Sequence, residues 1–229
     1  MKKRKIMMSV MSAALVGVVA IGGTLAYLSD TSNSVTNTFN VGSGYIDDGE
    51  HVGLWLDEVD HDKVDEEGNP ATRTETGNLY EELLPGSVVE KDPTFHLTEG
   101  STESYVFAEV TGVDAMIEAG YYFTVNKPVD QADPAASAFG NKWQKVDDQK
   151  GFDGLYVYTE KVAGGTDLQP MFNWVKLGSA VENEQFAEID PSVVFIRGIA
   201  VQTDNLSQNQ AQAEAEKVIE ELKNTPSLF

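Results

Sequence analysis

The amino-acid sequence predicts an all-β protein: an antiparallel β-sandwich with short helices and a C-terminal helix, preceded by an N-terminal signal helix. Short runs of β-branched and aromatic residues recur along the chain, and glycine, proline and aspartate separate them. Hydrophobic residues make up 41% of the 229 residues and aromatic residues 9%, which is enough to bury a sizeable core. This apolar content is sufficient for a folded domain, so the chain is not expected to be disordered.

The first 26 residues have the pattern of a secretory signal peptide. Residues 2–5 are all basic, and the stretch from there to Ala26 carries no charge. Thr24 and Ala26 are the small residues at the expected cleavage site, so cleavage would leave Tyr27 as the new N-terminus. A retained membrane anchor is the alternative, because the uncharged stretch is about 20 residues long. Its serines and glycines favour removal, and we expect a secreted protein that meets the membrane only through this segment.

The remainder of the chain is strongly acidic. The whole chain has 16 basic and 37 acidic residues, and without its first 26 residues the balance is 12 against 37, a net charge of about −25. Such a chain is repelled by nucleic-acid phosphates and by anionic lipid, so neither is an expected partner. The absence of cysteine excludes disulfides, thiolate metal sites and cysteine nucleophiles.

Residues 27–44 are rich in Ser, Thr, Asn and Gly, and we expect a flexible segment that contains one strand. The residues on one side of its two-residue alternation are Val35, Asn37, Phe39 and Val41. A further strand is predicted at 52–56. The acidic stretch 57–76 is non-periodic and contains Gly and Pro, which indicates an exposed loop or insertion.

The sandwich domain is expected to cover residues 45–204. Its other predicted strands lie at 88–90, 94–97, 104–111, 121–125, 154–159, 172–177 and 193–201. One helical turn is expected at 114–119 with Asp114 as its cap.

The remaining residues, 205–229, should form a helix and a tail. Ser207 and Gln210 have capping-box spacing. The predicted helix ends near residues 224–226, and its apolar stripe consists of Ala215, Val218, Ile219 and Leu222.

Catalytic motifs are missing from the sequence, and we expect no enzyme activity. The three histidines, His51, His61 and His96, lack the spacing of a zinc-protease helix. His51 and His61 could converge on a metal in the fold, although ordinary surface histidines are favoured. The chain has no phosphate-binding loop, no dinucleotide-binding loop and no nucleophile elbow.

The acidic run is a candidate for a weak Ca²⁺ site. Its candidate ligands are Asp57, Asp60, Asp62 and Asp65. The EF-hand template fails, because counting from Asp60 places Val64 at position 5 and Asp65 at position 6. A solvated acidic loop is therefore favoured, and no other cofactor is expected.

Two segments resemble a known family. The stretch GGTLAYLSD at 22–30, followed by NTF at 37–39 and Gly42, is similar to the signal region of substrates of the SipW-type signal peptidase. The second resemblance is to a strand-pair motif of the TasA/camelysin (CalY) family of Gram-positive bacteria. It is carried by Leu84-Pro85-Gly86, Lys91-Asp92-Pro93, Gly100-Ser101 and Ser104-Tyr105-Val106.

The resemblance implies a secreted jelly-roll domain of the cell surface or biofilm matrix, with a SipW-type peptidase and further copies of itself as partners. Fibres would form by donor-strand exchange, in which the strand at 35–41 completes the sheet of the next subunit. Pairing of that strand within its own subunit is equally compatible with the sequence. A monomeric secreted adhesin or cation-binding module is the alternative. A camelysin-like metallopeptidase is a weaker one, because the chain lacks a zinc motif.

Overall fold

The computed structural model describes residues 29–31, 45–64, 70–78, 80, 83–129, 132–180 and 194–224. Within these ranges the chain is mostly antiparallel β-sheet with two helices, which confirms the predicted all-β class. The predicted signal segment, 1–26, and the candidate donor strand, Val35–Val41, lie outside the described residues.

The elements are numbered in chain order. The strands are β1 (Ser29–Thr31), β2 (Leu54–Val64), β3 (Pro70–Thr74), β4 (Val88–Glu90), β5 (Thr94–Leu97), β6 (Ser104–Thr111), β7 (Tyr121–Thr124), β8 (Trp143–Lys145), β9 (Gly154–Tyr158), β10 (Thr166–Asp167), β11 (Trp174–Leu177) and β12 (Phe195–Gln202). The helices are α1 (Val113–Glu118) and α2 (Gln208–Asn224).

Three antiparallel sheets surround the main core. A five-stranded sheet has the order β1-β12-β6-β9-β8, a four-stranded sheet β10-β5-β2-β3, and a three-stranded sheet β4-β11-β7. One hydrophobic cluster joins all three, with Val106 from the first sheet, Phe95 from the second and Phe123 from the third, all fully buried. The sheets therefore pack on one another as in a sandwich.

The five-stranded sheet is buried on both faces. Along β6, Val106 and Val110 point into the main core, whereas Phe107 points to the other face and packs against α2. The residues of this second cluster are Phe107, Leu155, Val157, Ile199, Val201, Ala211, Ala215 and Ile219. The predicted C-terminal helix thus forms an outer layer on the sheet, and of its predicted stripe only Leu222 remains 37% exposed.

The acidic stretch at 57–76 is not the exposed loop that its composition indicates. β2 continues through this stretch to Val64 and pairs with β3 as an antiparallel hairpin. Asp57, Glu58 and Asp60 are only 6%, 6% and 4% exposed. The prediction was wrong because each of these carboxylates has a basic partner, which a buried charge requires: Arg73 for Asp57, Lys91 for Glu58 and Lys63 for Asp60.

The predicted cap of α1 also differs in the structure. Asp153 accepts hydrogen bonds from the N–H groups of Gly112, Val113 and Asp114, at 3.0, 2.8 and 3.2 Å. Asp114 caps nothing in its own helix. Its carboxylate accepts the N–H groups of Phe152 at 2.7 Å and Asp153 at 3.0 Å. The cap of α1 is therefore Asp153, from a segment about 40 residues away, and the carboxylate of Asp114 binds the backbone of that segment in return.

Candidate functional site

Residues 29–31 form the edge strand β1 of the five-stranded sheet. The three residues of β1 pair antiparallel with β12, in the register Ser29 with Val201, Asp30 with Ala200 and Thr31 with Ile199. The other side of β12 pairs with β6 along its whole length. The described part of the segment 27–44 therefore occupies an edge position, held by main-chain pairing.

The partners of β1 belong to well-packed structure. Ile199, Ala200 and Val201 are all fully buried. Ile199 and Val201 lie in the cluster under α2, while Ala200 lies in the main core. The part of β12 that pairs with β1 is thus packed on both faces of the sheet, and its main-chain groups are available for strand pairing.

The other predicted N-terminal residues lie outside the described part of the chain. They are the cleavage-site residues Thr24, Ala26 and Tyr27 and the candidate donor-strand residues Val35, Asn37, Phe39 and Val41. β1 lies between the predicted cleavage site and the predicted donor strand in the sequence.

The acidic hairpin contains a network of ion pairs. Asp57 Oδ1 accepts a hydrogen bond from Arg73 Nε at 2.8 Å, and Arg73 Nη1 donates to Asp92 Oδ2 at 2.8 Å. Burial alone would lower the pKa of Arg73, but its hydrogen bonds to Asp92 and Asp57 raise it above the usual value. Arg73 therefore stays charged and ties the hairpin to the segment before β5.

Two histidines enclose Trp55 between their rings. The ring centroids of His51 and His96 lie 3.8 and 4.0 Å from that of Trp55, and all three rings stack. His96 Nε2 lies 2.8 Å from Asp57 Oδ1, and its Nδ1 lies 2.8 Å from Asp167 Oδ1. This arrangement joins β10, β5 and β2 across the four-stranded sheet.

The candidate calcium ligands are distributed as follows. Asp57 is engaged by Arg73 as described, and Asp60 Oδ2 lies 3.1 Å from Lys63 Nζ and accepts from Thr72 Oγ1 at 3.2 Å. Asp62 lies on β2, and Asp65 lies outside the described residues. Among the residues that the structure describes, no group of three or more His, Asp or Glu side chains is arranged to hold a metal ion.

His51 and His61 contact different groups in this structure. His51 Nε2 lies 2.9 Å from Glu75 Oε1. His61 Nε2 instead lies 2.5 Å from the carbonyl oxygen of Glu90, and its ring contacts the edge of Tyr80. Each imidazole is thus engaged by a different part of the fold.

A second polar group lies beneath the hairpin and was missed at the level of sequence. The carboxylate of Glu58 accepts from Lys91 Nζ at 2.5 Å through Oε2 and from Asn78 Nδ2 at 2.8 Å through Oε1. The Asn78 amide also donates to the carbonyl of Val59 at 2.7 Å, and its Oδ1 accepts the N–H of His61 at 2.8 Å. Lys91 belongs to one of the motifs that carry the family resemblance, and this was the only signal that pointed to it.

The comparisons with known proteins add no relative. No family model matches the chain, and neither the curated proteins nor the solved structures contain a significant match. Within the described ranges, no helix combines the length and apolar character needed to cross a membrane.

Proposed function

We propose that this protein is an exported structural component of the cell surface or biofilm matrix of a Gram-positive bacterium. Its jelly-roll domains would assemble into fibres by donor-strand exchange. The observation that supports this proposal is the position of β1, a three-residue strand on the edge of the five-stranded sheet beside β12.

β12 can pair with β1 of its own chain or with β1 of another copy. A strand of three residues makes few hydrogen bonds, and the same register is available to the equivalent segment of another copy. In this form of the proposal the exchanged strand is β1 and not the strand predicted at 35–41. Residues 32–44 then connect β1 to the domain, and a chain of that length spans at most roughly 45 Å when extended. This reach is sufficient for a neighbouring subunit, so exchange requires no new fold.

The acidity of the mature chain acts as a brake on assembly. Subunits near −25 repel one another, but the Debye length at moderate salt is only about 8–10 Å. Salt, divalent cations and acidification should therefore favour filament formation. Filaments that weaken as the salt concentration rises would contradict this part of the proposal.

The experiment begins with the secreted protein. N-terminal sequencing should show Tyr27 as the first residue. Electron microscopy of that protein should show filaments, and deletion of 31–41 should abolish them.

Cysteine trapping separates exchange from pairing within one subunit, and the natural chain has no cysteine to interfere. Ser29 and Val201 are register partners, so a disulfide between these positions fits antiparallel pairing. A mixture of the single variants Ser29→Cys and Val201→Cys should form covalent dimers under filament conditions. Ser29→Cys mixed with Ile199→Cys, two residues out of register, should not.

A monomeric secreted adhesin or cation-binding module is the second candidate, since β1 pairs with β12 of its own chain in this structure. It would give the disulfide only within the double variant Ser29→Cys/Val201→Cys. Monomeric behaviour over a range of concentration, pH and salt would support it. A calorimetric titration that shows no heat with Ca²⁺ would remove its cation-binding form, and casein cleavage abolished by EDTA would instead indicate a metallopeptidase.

A further inference from the structure

One carboxylate beneath the hairpin bridges an amine and an amide. Glu58 Oε2 lies 2.5 Å from Lys91 Nζ, while Glu58 Oε1 lies 2.8 Å from Asn78 Nδ2. Because both contacts are made by the same carboxylate, the ammonium group of Lys91 and the carboxamide of Asn78 are neighbours. An ordinary ion pair needs no such amide.

The amide of Asn78 is held in a polarised state. Its Oδ1 accepts the backbone N–H of His61 at 2.8 Å, which stabilises negative charge on that oxygen. Its Nδ2 donates both to Glu58 and to the carbonyl of Val59. Both polar atoms of the carboxamide therefore have hydrogen-bond partners, and these hold the plane of the amide in one orientation.

The surroundings exclude most water. The side chains of Glu58 and Lys91 are only 8% and 16% exposed. The Tyr80 ring covers one side, with its centroid 5.8 Å from Lys91 Nζ. Burial and the charge of Glu58 raise the pKa of Tyr80, so its hydroxyl stays neutral and does not compete for the proton of the amine.

We propose that Lys91 and Asn78 form an intramolecular isopeptide bond, with Glu58 as the group that transfers the proton. Amine, carboxamide and carboxylate are the three groups that amide exchange requires, and here they occupy one partly dehydrated position. The bond would be independent of fibre formation, since all three residues belong to one chain.

The reaction needs no further reagent. Glu58 takes a proton from the Lys91 ammonium, and the free amine attacks Cγ of Asn78. The oxyanion that forms on Oδ1 is stabilised by the His61 N–H. Glu58 then returns the proton to Nδ2, the Cγ–Nδ2 bond breaks, and the second amine proton leaves with the departing group. The ammonium and carboxamide are thus converted to a secondary amide and one ammonium ion, with atoms and charge conserved.

The bond would connect the segment that follows β3 to the segment that follows β4. A cross-link of this kind restricts the unfolded chain as a disulfide does, and this chain has no cysteine with which to make one. The buried Lys176 offers a contrast, because its amine contacts the carbonyl of Ala132 and the carboxylate of Asp133. Neither contact supplies a carboxamide, so no bond is expected there.

Intact mass spectrometry under denaturing conditions tests the proposal. Protein with a sequenced N-terminus, kept folded at neutral pH, should be lighter than its sequence mass by one molecule of ammonia. Cleavage after glutamate should yield a branched product in which the peptide 76–81 is joined to the peptide 91–99. Lys91→Arg and Glu58→Gln should each restore the full mass. The matched control Lys142→Arg, which alters the exposed pair of Lys142 with Glu160, should retain the deficit.

Two results would overturn the proposal. The first is a wild-type protein at its full sequence mass, which is informative whether or not any variant folds. The second is a deficit that persists in Lys91→Arg, because a cyclised asparagine also loses ammonia and does not need the lysine. The peptide digest distinguishes these two chemistries in the wild-type protein as well.

Discussion

Replacement of Asp133 by asparagine should destabilise the protein through a buried lysine. The side chain of Lys176 on β11 is fully buried, and its Nζ lies 3.4 Å from Asp133 Oδ1 and 2.9 Å from the carbonyl oxygen of Ala132. Asp133 also accepts the Ser179 N–H at 3.0 Å and its hydroxyl at 3.0 Å. Asp133→Asn keeps the shape of the side chain and removes the only carboxylate that faces this ammonium in the described contacts.

The expected loss is about 2–3 kcal/mol of unfolding free energy. Removal of one partner of a fully buried ion pair costs about 3–5 kcal/mol, because a charge is left uncompensated. The loss here should be smaller, since 27% of the Asp133 side chain is exposed and the carbonyl of Ala132 still binds Lys176.

The pH dependence follows from the same contacts. Burial raises the pKa of Asp133, but the hydrogen bonds from Ser179 and Lys176 outweigh burial and hold the pKa below its usual 3.8. A carboxyl with a lowered pKa stabilises the fold above its unfolded pKa, and that stabilisation is lost as the pH falls through the folded value. The difference between wild type and Asp133→Asn should therefore be complete at neutral pH and shrink below pH 3.8.

Urea unfolding of both proteins across this pH range measures the difference. Lys176→Met provides the second arm, because an apolar side chain of similar length removes the buried charge. In the Asp133→Asn background it should recover most of the lost stability. A loss under about 0.5 kcal/mol for Asp133→Asn, or no recovery in the double variant, would refute the reasoning.

Three further changes test the packing. Ile219→Ala should lower the unfolding free energy by about 2–3 kcal/mol, because the Ile219 side chain is buried between α2 and the five-stranded sheet. Leu222→Ala is the control and should have little effect, since Leu222 is 37% exposed. Urea titration of both variants measures the difference. Gly151→Ala should be more destabilising than Gly49→Ala by at least about 1 kcal/mol in thermal melts. Both glycines have positive φ, but only at Gly151 would a Cβ collide with a carboxylate, and equal losses would count against this. Asp153→Ala should remove the cap of α1, cost about 1–2 kcal/mol and speed amide exchange in its first turn, and unchanged exchange would contradict the assignment.

Local pattern was sufficient for much of the fold. The predicted strands at 88–90, 94–97 and 104–111 coincide with β4, β5 and β6, and the C-terminal helix ends at Asn224 as predicted. In the structure the side chains of β6 alternate between two apolar environments, with Val106 and Val110 in the main core and Phe107 in the cluster under α2. The short strands β8 and β10 had no such signal, since two or three residues are too few to establish a period.

The acidic hairpin shows where local pattern fails. Composition indicates a solvated loop at 57–76, yet the structure buries Asp57, Glu58 and Asp60. Their partners include Arg73 on the facing strand, Lys91 after β4 and His96 on β5. Arg73 lies inside the stretch 57–76, but Lys91 and His96 lie 33 and 39 residues from the acids that they contact, so the composition of the stretch does not reveal them.

The sequence by itself determined that this is a β-rich, cysteine-free and strongly acidic chain whose basic N-terminus is followed by an uncharged stretch, because composition and periodicity are properties of neighbouring residues. Only the tertiary structure decided which acids became internal ion pairs, that Asp153 caps α1, and that Glu58 bridges Lys91 and Asn78. These outcomes depend on contacts between segments far apart in the chain, and folding alone brings those segments together.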